Sequence, residues 1–477
     1  MDTAIQFSLE VNQNKYLRVG GREMHAVLSV TGQGTTGEDD TPTRSDPSRL
    51  VEVLVIDCSG SMADPPTKMA AAQQAAAAAI NVLPDGVRFA VIEGTLQARV
   101  VYPPTGTLVT ASPATRKEAK AAVARLSASG GTAMGSWLAA ARDLLPPPSS
   151  TTINHVLLLT DGVNQHETAE ELERVLRTCA GRFVCDPRGI GEGWHPPDLL
   201  RIAAALNGTA EAVRRPADLV ASFRESIRAA LTKLLPDVRI RLRTVPYATV
   251  TFFKQARPTI QDLTEYATKV DERTWEVATG SWGAERREFH LCLSVEPPDD
   301  ILEQDRLAAR VDLVVDGELR AATATVLVHW TVNMARSARI DLSVSQVTGQ
   351  EDVRQAINAG CDAYDRGDRI EAHAQWARAV ALATATRDEV ALDQLRHLVD
   401  IEPGGLVRLK ENLSQTDIKV SIIASTQNPS HPPVPRGRAV ADQICGACGE
   451  TSPPGAGRCE NCGRRFTGDD PPVGALV

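Results

Sequence analysis

The stretch VLVIDCSGSM at residues 53–62 decides the fold of this chain, and two later stretches complete it: SGGTAMGS at 129–136 and VLLLTDG at 156–162. The first and third are apolar runs that end on an aspartate, as central parallel strands covered on both faces do. The second is a glycine-rich turn that opens a helical segment. Oxygen-bearing side chains stand where these segments end or turn: Asp57, Ser59, Ser61, Thr132 and Asp161.

Apolar runs alternate with helical patterns from residue 50 to about residue 235. Strands are predicted at 51–57, 88–93, 98–102, 154–160 and 182–185. Helices are predicted at 67–82, 114–127, 135–145, 168–179, 197–206 and 217–235. This alternation predicts a doubly wound, mostly parallel, Rossmann-like α/β sheet. Ligands of such sheets bind beyond the carboxyl ends of the strands, where Asp57 and Asp161 lie.

These residues resemble the metal-ion-dependent adhesion site (MIDAS) of von Willebrand factor A domains, which joins D-x-S-x-S, a later G-G-T and T-D-G. The resemblance implies that Ser59, Ser61 and Thr132 bind Mg²⁺ or Mn²⁺ directly or through water, while Asp57 and Asp161 supply charge. Hard oxygen ligands suit such a cation. The resemblance also implies that an Asp or Glu of a partner protein completes the coordination, and that the protein is not an enzyme. The alternative is that the hydroxyls cap helices and the aspartates merely end strands.

Strand patterns flank this segment on both sides. They occur at 5–11, at 24–30 and throughout 237–345, and they predict one small antiparallel β-sandwich. Residues 32–49 form a predicted loop that contains a G-x-G-x-x-G motif. Acidic residues and a proline follow that motif instead of a helix, so it does not predict a phosphate-binding loop.

Residues 349–400 are predicted to be helical. The segment INAGCDAYDRGDRIEAHAQWARAVALAT (357–384) resembles a single tetratricopeptide unit. A stable solenoid needs about three such repeats. The favoured interpretation is therefore a helical hairpin packed on the sandwich.

Four cysteines near the end of the chain follow the spacing C-x₂-C-x₁₀-C-x₂-C. This spacing predicts a tetrahedral Zn²⁺ site in a small zinc ribbon, formed by Cys445, Cys448, Cys459 and Cys462. The alternative is a pair of disulfides in a secreted protein. The ribbon has too few basic residues for strong phosphate binding, which favours a protein-contact or structural role.

Composition excludes several classes of function. The chain has 477 residues, 43% of them hydrophobic, and a net charge of −9. Its length suggests about three domains, and its acidity does not favour binding to nucleic acids or anionic membranes. The sequence has neither an apolar run of about 18 residues for a membrane helix nor the pattern of a secretory signal. We therefore expect a cytoplasmic protein without a membrane partner.

Three functions are consistent with these patterns. The first is a non-enzymatic adaptor that captures an acidic side chain of a partner protein through its metal site. The resemblance to bacterial, especially actinobacterial, von Willebrand A proteins implies a Ser/Thr kinase, a phosphatase or an AAA+ ATPase as partner. The second is a structural or stress-response assembly factor that binds through its sandwich and zinc ribbon. The third is a metal-dependent hydrolase, which Ser59 disfavours because phosphatases with such a loop have a second acid there.

The predicted organisation follows the order of these segments along the chain. The segments are N-terminal strands of the sandwich (1–45), the von Willebrand A domain (46–236), the β-sandwich (237–345), a helical region (346–415), a tail and Pro-rich linker (416–443), the zinc ribbon (444–466) and a disordered tail (467–477).

Overall fold

The structure is a computed structural model that describes residues 5–34, 46–297, 303–402, 405–428, 443–444 and 451–452. Its strands are β1 Ile5–Gln13, β2 Tyr16–Arg18, β3 Glu23–Gly34, β4 Leu50–Asp57, β5 Arg88–Gly94, β6 Ala98–Tyr102, β7 Val109–Thr110, β8 Ile153–Thr160, β9 Val184–Ile190, β10 Glu211–Val213, β11 Arg239–Thr244, β12 Ala248–Arg257, β13 Gln261–Asp262, β14 Thr268–Lys269, β15 Thr274–Ala278, β16 Arg286–Val295, β17 Arg306–Val315, β18 Glu318–Leu319, β19 Ala324–Thr331, β20 Val399–Ile401, β21 Val407–Leu409, β22 Gln443–Ile444 and β23 Thr451–Ser452. Its helices are α1 Thr67–Val82, α2 Pro113–Val123, α3 Met134–Leu144, α4 Ala169–Cys179, α5 Pro196–Ala205, α6 Leu219–Leu231, α7 Met334–Ser337, α8 Leu342–Asp365, α9 Arg369–Thr386, α10 Glu389–Leu395 and α11 Gln415–Ala424.

The central sheet has the strand order β10-β9-β8-β4-β5-β6. The strands from β10 to β5 are parallel, and β6 and β7 pair with β5 in the antiparallel sense. Successive side chains of a strand point to opposite faces, and helices bury both faces of β4. Leu54 and Ile56 belong to the core on the face covered by α1 and α6, whereas Val53 and Val55 belong to the core on the opposite face, covered by α3 and α4. The doubly wound α/β prediction is confirmed.

Two further sheets form the sandwich. One has the order β1-β3-β16-β12-β13, and the other has the order β14-β15-β11-β17-β19-β2 with β18 beside β17. All pairs are antiparallel except β2 with β19. Leu28, Phe289 and Leu313 are fully buried members of the core between the sheets. Strands that precede the α/β segment in the chain (β1–β3) and strands that follow it (β11–β19) therefore belong to one sandwich.

A helical hairpin follows the sandwich, as predicted. Helix α8 covers part of the outer face of the five-stranded sheet, where Val344 and Val347 pack against Val27. Helix α9 approaches α8 closely at Gly360, because a Cβ built there would lie 2.4 Å from the Trp376 ring. The Trp376 indole also donates a hydrogen bond to the Ile357 carbonyl over 3.1 Å, so the two helices interlock at this point.

Several predicted boundaries differ from the structure. β3 continues to Gly34, into the segment predicted to be a loop from residue 32. α6 ends at Leu231 rather than near 235, because the Leu234 and Leu235 amides both donate to the Trp282 carbonyl. β9 runs to Ile190 instead of 185 because it pairs with β10, which the sequence analysis missed.

The C-terminal part of the chain also differs from the prediction. The sequence predicts a tail and linker at residues 416–443, but α11 occupies Gln415–Ala424 and begins with a capping box between Ser414 and Asp417. Its Ile418 and Ile423 are buried. The predicted zinc ligands Cys445, Cys448, Cys459 and Cys462 lie outside the described residues. Within the described ranges, no helix is both long enough and apolar enough to cross a membrane.

Candidate metal centre

The residues of the predicted metal site meet at the carboxyl edge of the central sheet. β4 ends at Asp57 and its neighbour β8 ends at Thr160, directly before Asp161. Ser59 and Ser61 lie in the turn after β4, and Thr132 lies two residues before α3. Segments far apart in sequence therefore contribute to one site because their strands are neighbours.

Hydrogen bonds fix the Asp57 carboxylate. Its Oδ1 accepts a bond from the Ser59 amide over 2.8 Å, which closes the turn after β4. Its Oδ2 accepts a bond of 2.7 Å from the Thr160 hydroxyl of the adjacent strand. The carboxylate is completely buried. Its orientation is therefore set by two strands rather than by solvent.

The serine hydroxyls connect the two carboxylates. Ser61 Oγ donates to Asp161 Oδ1 over 2.6 Å and lies 3.0 Å from Ser59 Oγ. Asp161 is fully buried, and Ser59 is nearly so. Hydroxyl and carboxylate oxygens thus form a continuous chain of polar contacts at the sheet edge.

The oxygens of three segments converge beside Gly162. A Cβ built on that glycine would lie 2.9 Å from Thr132 Oγ1, 3.3 Å from Ser61 Oγ and 3.7 Å from Asp57 Oδ2. The lack of a side chain at this position therefore leaves a small space bordered by oxygen atoms. Such a donor set is the kind that a hard divalent cation prefers. The residues present thus fit the predicted ion in chemistry and in arrangement.

An ammonium group stands beside these oxygens. Lys68, in the first turn of α1, places its Nζ 2.7 Å from Asp161 Oδ2 and 3.3 Å from the Ser61 carbonyl. Asp161 therefore receives the Ser61 hydroxyl on one oxygen and the Lys68 ammonium on the other. The Lys68 side chain is 14% exposed, so solvent screens this pair weakly. No sequence pattern predicts this role for Lys68, because a lysine in a helix is usually exposed to solvent.

The electrostatics of the site favour an added positive charge. Burial raises the pKa of Asp57, and repulsion from Asp161 adds to that shift although hydrogen bonds from Ser59 and Thr160 oppose it. A nearby cation stabilises the ionised form of a carboxylate. Cys58, inside the same motif, is buried, and burial raises the pKa of its thiol, which therefore stays protonated and unreactive.

Loop residues near the oxygen cluster shape this edge of the sheet. Glu167 accepts hydrogen bonds from the Gly135 and Ser136 amides over 2.7 and 2.9 Å, at the start of α3. His166 packs against Gly131, where an added Cβ would meet its ring at 2.1 Å. These contacts hold the turn that carries Thr132. By contrast, Glu93 pairs with the exposed Arg99.

Comparison with known proteins points to one family. A family model described as von Willebrand factor type A domain matches residues 52–212. The chain is similar to a solved structure described as von Willebrand factor type A from Catenulispora acidiphila, with 38% identity, a TM-score of 0.81, and coverage of 90% of this chain and 98% of that one. It also shares its fold with the ArnB paralog VWA2 from Sulfolobus acidocaldarius, with 12% identity, a TM-score of 0.53, and coverage of 89% and 97% of the two chains.

A curated relative matches part of the chain. It is an uncharacterized protein of Synechocystis, 28% identical over 216 residues, which are 44% of this chain and 49% of the relative. The chain thus spans about half the length of that relative.

Proposed function

We propose a function for this chain from one premise: it belongs to the von Willebrand factor type A family. Domains of this family typically mediate protein–protein interactions. The proposed function is that of a non-enzymatic adaptor. It binds a partner protein through a divalent cation, Mg²⁺ or Mn²⁺, at the oxygen cluster of the central sheet, and the partner contributes an Asp or Glu side chain.

One observation carries this proposal: oxygens of Asp57, Ser61 and Thr132 converge on the space beside Gly162. Ser59 Oγ and Asp161 Oδ1 both lie within hydrogen-bond distance of Ser61 Oγ, so they belong to the same cluster. These five residues are the ones that would hold the ion.

The bound cation would supply a Lewis-acidic position for an incoming carboxylate. The chain's own groups do the rest. Ser61, Ser59 and Thr132 contribute neutral hydroxyl oxygens, which leave most of the positive charge available to an acidic ligand. The buried Asp57 and Asp161 make the site negative, which favours retention of the cation. The Lys68 ammonium forms an ion pair with one oxygen of Asp161 and so partly neutralises the negative charge of this carboxylate.

The C-terminal cysteines complete the proposal. Cys445, Cys448, Cys459 and Cys462 have the spacing of a structural Zn²⁺ site. We propose that this module contributes contacts to a protein partner or stabilises the C-terminal segment.

The first experiment measures the ion directly. Mg²⁺ is titrated into the full chain by calorimetry, for the wild type and for Thr132→Val, which keeps the side-chain shape and removes one oxygen. Thr178→Val, at an exposed position of α4, is the matched control. We expect Thr132→Val to weaken Mg²⁺ binding at least about tenfold and the control to bind as the wild type does. Equal affinity in all three proteins would reject Thr132 as a donor.

The second experiment tests adhesion. The immobilised chain is exposed to a lysate of its own organism in Mg²⁺, in EDTA, and as Asp57→Ala. A protein retained in Mg²⁺ alone, and lost in the other two conditions, supports capture through the cation. Identical partners in all three conditions would indicate that the partner binds to the sandwich or to the C-terminal region instead of to the metal site. Turnover of a generic phosphoester that Asp161→Ala abolishes would instead favour a hydrolase.

A further inference from the structure

Three potential metal ligands lie together on the outer face of the five-stranded sheet. Glu23 and His25 are two residues apart on β3, so their side chains share one face. In the antiparallel register, His25 is directly opposite Cys292 of β16. Met24, which lies between them, and Ala26, which follows His25, point to the opposite face and belong to the sandwich core. The strand pairing itself therefore brings a carboxylate, an imidazole and a thiol to one place.

The distances among these groups suit a tetrahedral ion. His25 Nε2 is 3.2 Å and Cys292 Sγ is 3.6 Å from Glu23 Oε1, and the ligating atoms all lie within 4.8 Å of one another. Typical zinc–ligand bond lengths place tetrahedral ligand atoms about 3.3–3.6 Å apart. An ion could thus contact all three groups after small side-chain rotations, with no change in the backbone.

A neighbouring histidine orients the imidazole. His25 Nδ1 lies 3.0 Å from His290 Nε2. A metal bound by Nε2 requires Nδ1 to carry the proton, and His290 can accept it. A metal-bound histidine usually has such a partner for its second nitrogen. The His290 ring is itself held edge-on against Phe252, with ring centroids 4.9 Å apart.

We propose that Glu23, His25 and Cys292 form a second metal site, for a thiophilic cation such as Zn²⁺, with His290 as a positioning residue. A sulfur and a nitrogen ligand select Zn²⁺ over Mg²⁺. The Glu23 side chain is 68% exposed and that of His25 26% exposed, so the ion can reach the site from solvent. Three protein ligands leave a fourth position for water or for a ligand from a partner.

Cobalt provides the test, because a cysteine thiolate bound to Co²⁺ gives a charge-transfer absorption band. The full chain is used with serine in place of all four cysteines of the proposed zinc ribbon, Cys445, Cys448, Cys459 and Cys462, so that the ribbon does not contribute to the band. We expect about one equivalent of Co²⁺ to bind with a thiolate band, Zn²⁺ to displace it, and Cys292→Ser to abolish the band. Cys361→Ser, a buried cysteine in α8, is the matched control and keeps the band.

Two further variants keep the proposal falsifiable if Cys292→Ser does not fold. Glu23→Gln, at an exposed position, and His290→Phe, which keeps an aromatic ring, should each weaken Zn²⁺ binding about tenfold. His290→Phe should retain the cobalt–thiolate band, because it removes a positioning contact and not a ligand. The proposal is overturned if no thiolate band forms, if the band survives in Cys292→Ser, or if both further variants bind Zn²⁺ as the wild type does.

Discussion

The contact between Lys68 and Asp161 makes a prediction with two linked parts. In Lys68→Met the side chain keeps its length and loses its charge. Without metal, the fully buried Asp161 then keeps the Ser61 hydroxyl and loses its cation. Removing one partner of a buried ion pair costs about 3–5 kcal/mol. Because Lys68 is partly exposed, we expect about 2–3 kcal/mol less stability in EDTA.

The same substitution should strengthen Mg²⁺ binding. A bound cation would take over the role of the ammonium beside Asp161, so the stability lost in EDTA would be recovered on binding. By linkage the recovered 2–3 kcal/mol appears as affinity, which corresponds to a roughly 30- to 150-fold lower Kd. The melting temperature should therefore fall in EDTA and rise more steeply with Mg²⁺ than that of the wild type.

Calorimetric titration and thermal melting in EDTA and in Mg²⁺ measure both parts. Lys117→Met, at an exposed position of α2, is the matched control and should behave as the wild type. A Lys68→Met protein that is destabilised in EDTA but binds Mg²⁺ with unchanged or weaker affinity would refute the idea that the ammonium and the cation act on the same carboxylate. Lack of Mg²⁺ binding by the wild type would instead reject the metal site itself.

Two other predictions concern stability. His155 is buried between Glu52 and Asp186, and although burial opposes its charge, these carboxylates raise its pKa from 6.5 to about 10. A group whose pKa is raised in the folded state stabilises that state below its unfolded pKa, and this stabilisation is lost as the pH rises through its folded pKa. The free energy of unfolding should therefore fall between pH 6.5 and about 10 in denaturant titrations. His155→Gln should flatten this dependence. Gly360→Ala would force a methyl group against Trp376 and should cost about 1–3 kcal/mol, visible as a lower melting temperature of the helical region.

Much of the central fold could be predicted because local patterns determine it. The apolar runs of β4 and β8 identify strands buried on both faces, and α1 was predicted with the bounds that the structure has, because Pro65, Pro66 and Pro84 delimit an alanine-rich segment. The positions of Asp57 and Asp161 beside one another follow from the pairing of β4 with β8.

The missed features depend on contacts that no local pattern encodes. Lys68 and Asp161 are 93 positions apart, and only the folded sheet brings them together. Helix α11 is short, and its Ile418 and Ile423 become buried only against distant elements, so its sequence resembles a tail. Cys292 and His25 are opposed only once the register of β3 and β16 is known.

The pairing of β3 with β16 has a consequence for synthesis of the chain. β3 ends at Gly34 and its partner begins at Arg286, so about 250 residues separate them. At about 5–20 residues per second, a ribosome needs on the order of 10–50 s to make that stretch. During this time β1 and β3 can pair with each other, but an isolated two-stranded hairpin is marginal in water. The inserted α/β domain is complete before β16 emerges, so it can fold first. The chain thus carries an unpaired strand edge through about half of its translation, which is a risk for aggregation when synthesis is slow or folding of the insert is delayed.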